Sequence, residues 1–294
     1  MALLILTLLI SAGCNAPTLK AAQQIKSEQF GATRVDFRLT EDEQAARGFV
    51  ILPTKLATDG SRPWIWYAPT FIGRHPDPSH TWMFEKLLAK GFYICGVDVG
   101  ESFGSPAGRK IYSDFYSFVT KKFSLDAKAS LLPQSRGGLM LYNWAAENAD
   151  KVKCIAGIYT VCDIESYPGL KRACGAYGMT EKQLLIELHK HNPIDRLADL
   201  AKANIPILHI HGDIDSVVPL NENSEKLIRR YETLGGKAEL IIVKGKGHEV
   251  CPEFFQSEKF LEFLLTQSKS SRGYSNPQTS SRQTIPLLLR ERSQ

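Results

Sequence analysis

Short apolar runs alternate with segments of helical spacing along most of the chain. The runs are rich in β-branched and aromatic residues and end near Gly, Pro or Asp, a pattern that predicts buried strands. The segments between them carry apolar residues three and four positions apart, which predicts helices. The predicted strands are 33–39, 48–52, 64–68, 92–99, 129–132, 154–159, 207–210 and 239–243, and the predicted helices are 81–90, 111–123, 138–148, 224–234 and 254–265.

This alternation predicts the α/β class, with a mostly parallel eight-stranded sheet and helices on both faces, because parallel strands need crossover connections. The domain is expected to span 33–267 after an N-terminal linker at 15–32. Residues 160–204 interrupt the alternation for longer than an ordinary connection, which predicts a small cap-like insertion. The Ser, Arg, Gln and Pro content of 268–294 predicts a disordered tail.

The first fourteen residues have the pattern of an export signal. Met1–Ile10 is almost wholly apolar, too short to span a bilayer, and followed by Ser11, Ala12, Gly13 and Cys14. This run resembles a lipoprotein processing site, with Cys14 as the lipid acceptor, and ordinary signal cleavage is the alternative. The protein is therefore expected in the periplasm or cell envelope, with membrane contact only through that anchor.

Composition narrows the function classes. The length of 294 residues suits one large α/β domain. The formal charge of +5 is spread along the chain, and no basic stripe interleaved with aromatic residues is present, which argues against a nucleic-acid partner. No Cys-x-x-Cys pair occurs, so the sequence supports neither a zinc ribbon nor a thioredoxin-like site.

The segment Gln134-Ser135-Arg136-Gly137-Gly138 lies between a predicted strand and a predicted apolar helix. A strand, sharp turn and helix around a serine is the context of a nucleophile elbow. Gly137 satisfies the need for a small residue two positions after the serine, whereas Pro133 departs from it two positions before. A serine that merely caps the helix is the alternative interpretation.

Two further polar residues follow predicted strands. Asp213 and Asp215 come after the strand at 207–210, and His248 comes after the strand at 239–243 in a loop with two glycines. The carboxyl ends of parallel strands form the edge at which α/β proteins bind ligands. A serine, an acid and a histidine in this chain order predict a catalytic triad.

Taken together, these segments resemble the α/β-hydrolase superfamily, in particular its dienelactone-hydrolase and prolyl-oligopeptidase-like branch. The resemblance rests on the serine segment, on His211-Gly212-Asp213-Ile214-Asp215 with Val218-Pro219, and on Gly247-His248. It implies a triad of Ser135, Asp215 and His248 with no metal or organic cofactor. It also implies an oxyanion hole formed by the backbone of Arg136 and of Thr70 or Phe71.

The function expected from this resemblance is cleavage of carboxylic esters through an acyl-enzyme, on esters of carbohydrate or aromatic acids. The Arg136 side chain either lies on the surface or meets a carboxylate-bearing substrate. Ester cleavage is favoured over peptide cleavage because the length leaves no room for a propeller domain. Four aromatic residues are candidates for the substrate pocket, with core packing as the alternative: Trp82, Phe103, Tyr167 and Tyr177.

Other functions stay open at this point. A serine peptidase of the same fold and a lipid-anchored binding protein without catalysis both fit the pattern. The run His209-Ile210-His211-Gly212-Asp213 also resembles a metallo-hydrolase ligand cluster, although the residues that should follow it are missing.

Overall fold

The computed structural model describes residues 24–42, 44–69, 73 and 75–268. Strands in this part of the chain form one nine-stranded sheet in the order β1-β2-β3-β5-β4-β6-β7-β8-β9. No helix in these ranges combines the length and the apolar character needed to cross a bilayer. The strands are β1 (Ile25–Gln29), β2 (Ala32–Arg38), β3 (Arg47–Ile51), β4 (Trp64–Ala68), β5 (Tyr93–Val97), β6 (Ala129–Pro133), β7 (Val152–Ile158), β8 (Ile207–Gly212) and β9 (Ala238–Val243).

The sheet is antiparallel from β1 through β3 to β5 and parallel from β5 onward to β9. The predicted α/β class with a mostly parallel sheet is confirmed. The prediction of eight strands is wrong by one, because β1 lies in the segment expected to be a linker. It pairs with β2 across a two-residue turn at Phe30 and Gly31, both with positive φ. Most of β1 is polar and exposed, so no apolar pattern marks it.

Helices cover both faces of the sheet. Alternate residues of β4 point to opposite faces: Trp66 belongs to an apolar cluster with residues of α2, α3, α6 and α7, whereas Tyr67 belongs to a second cluster with residues of α1, α8 and α9. The ring centroids of Trp66 and Trp144 are 4.6 Å apart. The helices are α1 (Thr81–Ala89), α2 (Pro106–Lys122), α3 (Gly137–Glu147), α4 (Leu170–Ala173), α5 (Glu181–Glu187), α6 (Ala198–Lys202), α7 (Ser224–Thr233), α8 (Pro252–Phe255) and α9 (Glu258–Gln267).

Two predicted helix boundaries differ from the observed ones because of capping residues. Helix α2 begins earlier than expected, where the Ser105 side chain accepts a hydrogen bond from the Gly108 amide and Pro106 occupies the first turn. The predicted last helix is two helices, since Ser257 caps α9 after α8 has ended. Apolar periodicity continues across such a break and therefore does not reveal it.

The region predicted as a cap, 160–204, forms short helices and 3₁₀ turns packed on a third apolar cluster. At the other end of the domain, Ser268 was assigned to the tail but is buried, with its hydroxyl oxygen 2.5 Å from Ser130 Oγ. The predicted export signal with Cys14, Thr70 and Phe71, and the tail from 269 onward lie outside the described residues.

The start of α3 packs backbone to backbone against β4. A Cβ atom added to Gly137 would lie 1.8 Å from the Ala68 carbonyl oxygen, so no side chain fits there. Gly137→Ala is expected to lower the free energy of unfolding by about 1–3 kcal/mol through overpacking. Urea unfolding measures the change. Gly175→Ala is the matched control, because no atom lies within 4 Å of the Cβ it would add; equal stability losses in both variants would contradict this account.

One histidine of β8 lies deep in the domain. His209 is fully buried, with Nδ1 2.9 Å from Ser224 Oγ and Nε2 2.7 Å from the Tyr142 hydroxyl. Burial lowers the pKa of His209 to about 3, with a smaller contribution from the neighbouring His211. The folded protein therefore keeps this imidazole neutral in mild acid.

This neutral histidine makes stability depend on pH. Between pH 7 and pH 5 the unfolded chain binds a proton at His209 and the folded chain does not, so acidification favours unfolding, by about 2 kcal/mol for this residue. We expect His209→Gln to have a lower free energy of unfolding than the wild type at pH 7. The difference between the two proteins should be smaller by about 2 kcal/mol at pH 5. Urea unfolding of both proteins at both pH values measures it, and a constant gap would refute the assignment.

Candidate active site

Three polar side chains, remote in sequence, follow the carboxyl ends of neighbouring parallel strands. Ser135 comes shortly after β6, Asp215 shortly after β8, and His248 follows β9. Strands β6 to β9 are neighbours in the sheet and run parallel, so these ends lie along one edge. The topology therefore gathers the predicted serine, acid and histidine on the same side of the domain.

The turn at Ser135 is strained and firmly held. Its φ of 51° lies in the left-handed region that residues with a Cβ rarely adopt. The Ser135 amide donates to the Ile158 carbonyl at 3.0 Å, and the Ser135 carbonyl accepts from the amides of Gly138 and Val161 at 3.0 and 2.9 Å. Hydrogen bonds to β7, to the loop after it and to α3 thus hold the turn. This is the geometry of a nucleophile elbow, not of a helix cap.

Pro133, which departs from the expected small residue, fits at the end of β6. The paired residues of β6 and β7 run to Leu131 and Ile155 and resume only at Gln134 and Ile158. The proline lies in this gap on the β7 side, and although it is paired with Ala68 of β4, the Gln134 amide donates to the Ala68 carbonyl there at 3.2 Å, so the missing N–H of Pro133 costs no hydrogen bond to β4. The elbow therefore tolerates it.

Asp215 is held by four donors. Its Oδ1 accepts from the amides of Val217 and Val218 at 2.9 and 2.8 Å, while its Oδ2 lies 2.8 Å from His248 Nδ1 and 3.3 Å from His211 Nε2. Burial alone would raise the pKa of this carboxyl, but the hydrogen bonds from His211, His248 and the Val218 amide lower it well below its usual range. The buried acid is therefore an anion at neutral pH.

Asp213, unlike Asp215, is hydrogen-bonded to the backbone of the loop that carries His248. Its Oδ1 accepts from the Gly245 amide at 2.7 Å, which ties the loop after β8 to the loop that carries the histidine. The same two loops meet where a Cβ on Gly212 would lie 2.1 Å from the Lys246 carbonyl oxygen. The expectation that Asp215 rather than Asp213 faces the histidine agrees with this geometry.

The three predicted side chains form one continuous chain of contacts. Ser135 Oγ lies 2.8 Å from His248 Nε2, and His248 Nδ1 lies 2.8 Å from Asp215 Oδ2. The ring of Tyr159 lies against the imidazole, with centroids 4.4 Å apart. Because the carboxylate accepts at Nδ1, the neutral imidazole presents the lone pair of Nε2 to the serine hydroxyl.

A buried cluster supports the elbow from below, and sequence reasoning missed it. Gln134 Oε1 accepts from the Tyr67 hydroxyl at 2.7 Å and lies 3.0 Å from His80 Nε2, and Gln134 Nε2 donates to the Tyr159 hydroxyl at 2.8 Å. Burial raises the pKa of Tyr67, so its hydroxyl remains a donor. In the sequence, Tyr67 lies in an apolar run and His80 at the start of a helix, so neither is marked as a site residue. Tyr159 is distinguished by its positive φ, which the sequence does not reveal.

The serine opens onto a cleft of about 330 Å³. Its walls combine apolar and charged residues. Burial lowers the pKa of His75, which favours a neutral imidazole there. Besides Ser135 and His248, the lining residues are Pro69, His75, Gln134, Arg136, Tyr159, Tyr167, Val217, Glu249 and Val250.

Of the four aromatic residues predicted to line the pocket, only Tyr167 lies in the cleft. The Tyr177 hydroxyl donates to the Phe103 carbonyl at 2.7 Å, and both side chains are buried in the third apolar cluster. Trp82 packs against the second core cluster with Lys86 over its ring at 4.6 Å. For these three the alternative of core packing is correct, since helical and loop spacing cannot distinguish a pocket wall from a core.

The groups expected to stabilise an oxyanion are only partly described. Arg136 follows the serine directly at the start of α3, whereas Thr70 and Phe71 lie outside the described residues. The Arg136 side chain lines the cleft and forms an ion pair with Glu101, with 2.9 Å between Nη1 and Oε1. The positive charge beside the nucleophile is therefore balanced by a carboxylate of the protein.

The histidines proposed as alternative metal ligands are engaged with the protein. Both ring nitrogens of His209 contact hydroxyl groups, as given above. His211 Nδ1 lies 2.7 Å from Ser224 Oγ, and its Nε2 lies 2.8 Å from the Val218 carbonyl oxygen. Within the described ranges no group of three or more His, Cys, Asp or Glu side chains is arranged to hold a metal ion.

Solved structures of low sequence identity share this fold. S-formylglutathione hydrolase from Agrobacterium tumefaciens is 15% identical with a TM-score of 0.62, over 83% of this chain and 97% of its own. Est1E from Butyrivibrio proteoclasticus is 16% identical with a TM-score of 0.56, over 83% and 98%. Acylaminoacyl peptidase from Pyrococcus horikoshii is 20% identical with a TM-score of 0.60, over 87% and 43%, so this chain spans less than half of that peptidase.

No curated protein sequence matches the chain significantly. The family model of the prolyl oligopeptidase family matches residues 114–270, which include Ser135, Asp215 and His248. The confirmed fold is that of α/β-hydrolases, and the solved structures that share it include hydrolases and peptidases. Because the family model covers more than half of the 294 residues, the protein belongs to the prolyl oligopeptidase family of hydrolases.

Proposed function

We propose that this protein is a serine hydrolase that cleaves carboxylic esters through an acyl-enzyme. Ser135 is the nucleophile, His248 the general base and Asp215 the acid that orients it. The observation that carries the proposal is the pair of 2.8 Å contacts joining the three side chains, at a serine held with positive φ. This combination is what nucleophilic catalysis at a carbonyl requires.

The reaction follows from these contacts. His248 Nε2 takes the proton of the Ser135 hydroxyl as Oγ forms a bond to the acyl carbon, and the carbonyl electron pair moves to the oxygen. When the carbonyl re-forms, the bond to the alkoxy oxygen breaks, and His248 returns the proton to the departing alcohol. A water molecule, deprotonated by His248 in the same way, then releases the acid and restores the serine.

Asp215 contributes by remaining charged in a buried position. Its carboxylate holds the proton of His248 Nδ1, so the ring cannot turn its lone pair away from Ser135. When His248 accepts the serine proton, the imidazolium lies against an anion that is already oriented by two backbone amides. Such preorganisation stabilises the developing positive charge without further rearrangement.

The dimensions of the cleft and the structural comparisons support small ester substrates. A volume of about 330 Å³ is at the lower end of small-molecule pockets. Two structures that this chain matches over almost their whole length are named S-formylglutathione hydrolase and Est1E. Because Glu101 pairs with Arg136, the guanidinium in the described part of the cleft is compensated, and we propose uncharged esters.

Peptide cleavage by the same residues is the second candidate. The family match favours it, since the matching model describes prolyl oligopeptidases. The acylaminoacyl peptidase structure shares the fold as well. The chemistry differs only in the leaving group, an amine in place of an alcohol, which His248 must also protonate.

Ser135→Ala removes the proposed nucleophile, and we expect kcat for a short-chain aryl ester to fall by about three orders of magnitude or more with the fold intact. Steady-state turnover of 4-nitrophenyl acetate measures this. Ser117→Ala, on the exposed part of helix α2, is the matched control and is expected to keep wild-type turnover. A fluorophosphonate probe should add its mass to the wild type and the control but not to Ser135→Ala; turnover retained in Ser135→Ala would overturn the assignment.

A substrate panel separates the two candidate functions. We expect acetyl and feruloyl esters to be hydrolysed with a kcat/KM at least tenfold above that of a hemisuccinate ester, which carries a free carboxylate, since Glu101 neutralises Arg136. Acylated dipeptide anilides are expected to react more slowly than the neutral esters. Faster cleavage of the anilides would instead establish the peptidase, and preference for the hemisuccinate would show that Arg136 reaches the substrate.

A further inference from the structure

His211 lies directly behind the proposed catalytic acid and has no part in the reaction described above. It is the penultimate residue of β8, and its side chain is fully buried. Its Nε2 lies 2.8 Å from the Val218 carbonyl oxygen and 3.3 Å from Asp215 Oδ2. Asp215 Oδ2 therefore faces two imidazoles, His248 on the cleft side and His211 on the core side.

The direction of the hydrogen bonds at His211 follows from its partners. The Val218 carbonyl can only accept, so His211 Nε2 carries a proton, and that N–H also faces Asp215 Oδ2. In a neutral ring Nδ1 must then accept, and its partner at 2.7 Å is the Ser224 hydroxyl. Each ring nitrogen thus has a complementary group in a site without access to water.

The hydrogen bonds continue away from the site in the same direction. Ser224 Oγ accepts from His209 Nδ1 at 2.9 Å, and His209 Nε2 accepts from the Tyr142 hydroxyl at 2.7 Å. These four side chains are at most 1% exposed. Burial lowers the pKa of His209 and raises the pKa of Tyr142, so His209 stays neutral and Tyr142 keeps its proton. Each group in the series Tyr142, His209, Ser224 and His211 therefore donates to the next, and the last donates to Asp215.

We propose that His211 is a positioning residue for catalysis: as the end of the buried chain from Tyr142, it orients the Asp215 carboxylate toward His248 and limits the negative charge that His248 experiences. The proposal rests on the proposed function. His211 acts on both carboxylate oxygens of Asp215. It contacts Oδ2 directly, and it acts on Oδ1 through Val218, whose carbonyl accepts from His211 and whose amide donates to Asp215. An acid held on both oxygens cannot rotate away during turnover.

Loss of the His211 N–H is expected to shift the pH profile of kcat/KM in one direction. A donor on Oδ2 withdraws charge from the carboxylate, so its removal makes His248 more basic and moves the acidic limb of kcat/KM to higher pH. The groups that face His248 are Ser135, Asp215 and Tyr159, and the described cleft lining adds four more titratable groups, His75, Arg136, Tyr167 and Glu249. Of these groups, Asp215 is the one that His211 contacts, so a substitution at position 211 acts on His248 through that carboxylate.

Two amide substitutions that differ in reach test the proposal. The side-chain nitrogen of His211→Gln can occupy the place of Nε2 and donate to Val218 and Asp215, whereas that of His211→Asn reaches only the place of Nδ1. We expect His211→Asn to lose kcat about tenfold or more on 4-nitrophenyl acetate, with KM within twofold and the acidic limb raised by about half a pH unit. His211→Gln should stay within about threefold, with the limb unmoved.

Tyr231→Phe controls for stability alone. It removes a buried hydrogen bond to the Ile205 carbonyl, and since neither residue lines the cleft, it is expected to lower stability without changing kcat or the acidic limb. Equal kcat losses in the Gln and Asn variants, or an acidic limb that does not rise in His211→Asn, overturn the proposal. If Ser135→Ala keeps its turnover, the proposed function itself fails; if only the position-211 results fail, the triad stands without His211.

A measurement on the wild type covers the case in which a variant does not fold. For neutral rings, the hydrogen bonds predict opposite tautomers, protonated at Nε2 in His211 and at Nδ1 in His209. Nitrogen-15 chemical shifts of the labelled histidines distinguish these forms. The predicted pair of tautomers supports the proposal, and a His211 ring protonated only at Nδ1, or at both nitrogens, overturns it.

Discussion

The parallel register of the central strands is the constraint on which the site depends. Strands β6 to β9 are neighbours and point the same way, so three loops separated by up to 113 positions in the sequence meet at one edge. Backbone hydrogen bonds set this register, and apolar side chains on both faces hold it, since a shift by one residue would turn each strand's side chains to the wrong face. The chemistry at Ser135 thus depends on the packing of the whole sheet.

The strain at the nucleophile is held by its surroundings. Ser135 is held in a left-handed conformation by hydrogen bonds from its amide and carbonyl to β7, to Val161 and to α3. Gly137 contributes because it lets α3 approach β4 closely. Below it, Gln134 is fixed by two tyrosines and a histidine. The elbow is therefore rigid before a substrate arrives, which is the condition for efficient attack.

The same low-polarity interior has opposite effects on the buried groups. It keeps His209 neutral. It would also destabilise the anionic form of Asp215, but four hydrogen-bond donors around the carboxylate stabilise that form. Polar residues placed deep in the core thus reach the site through directed hydrogen bonds. The chain belongs to the prolyl oligopeptidase family, and apart from Tyr167 the residues that line the cleft are not the aromatic residues predicted from the sequence.

The sequence by itself determined the α/β class, most strands and helices, and the identity of Ser135, Asp215 and His248, because apolar periodicity and residues at strand ends are local signals. It did not reveal β1, the division of the last helix, or the contacts of Gln134, Tyr159 and His211. It also misplaced Trp82, Phe103 and Tyr177. Only the tertiary structure decided these, since whether a polar or aromatic side chain faces a cleft, a core or a carboxylate depends on neighbours distant in the chain.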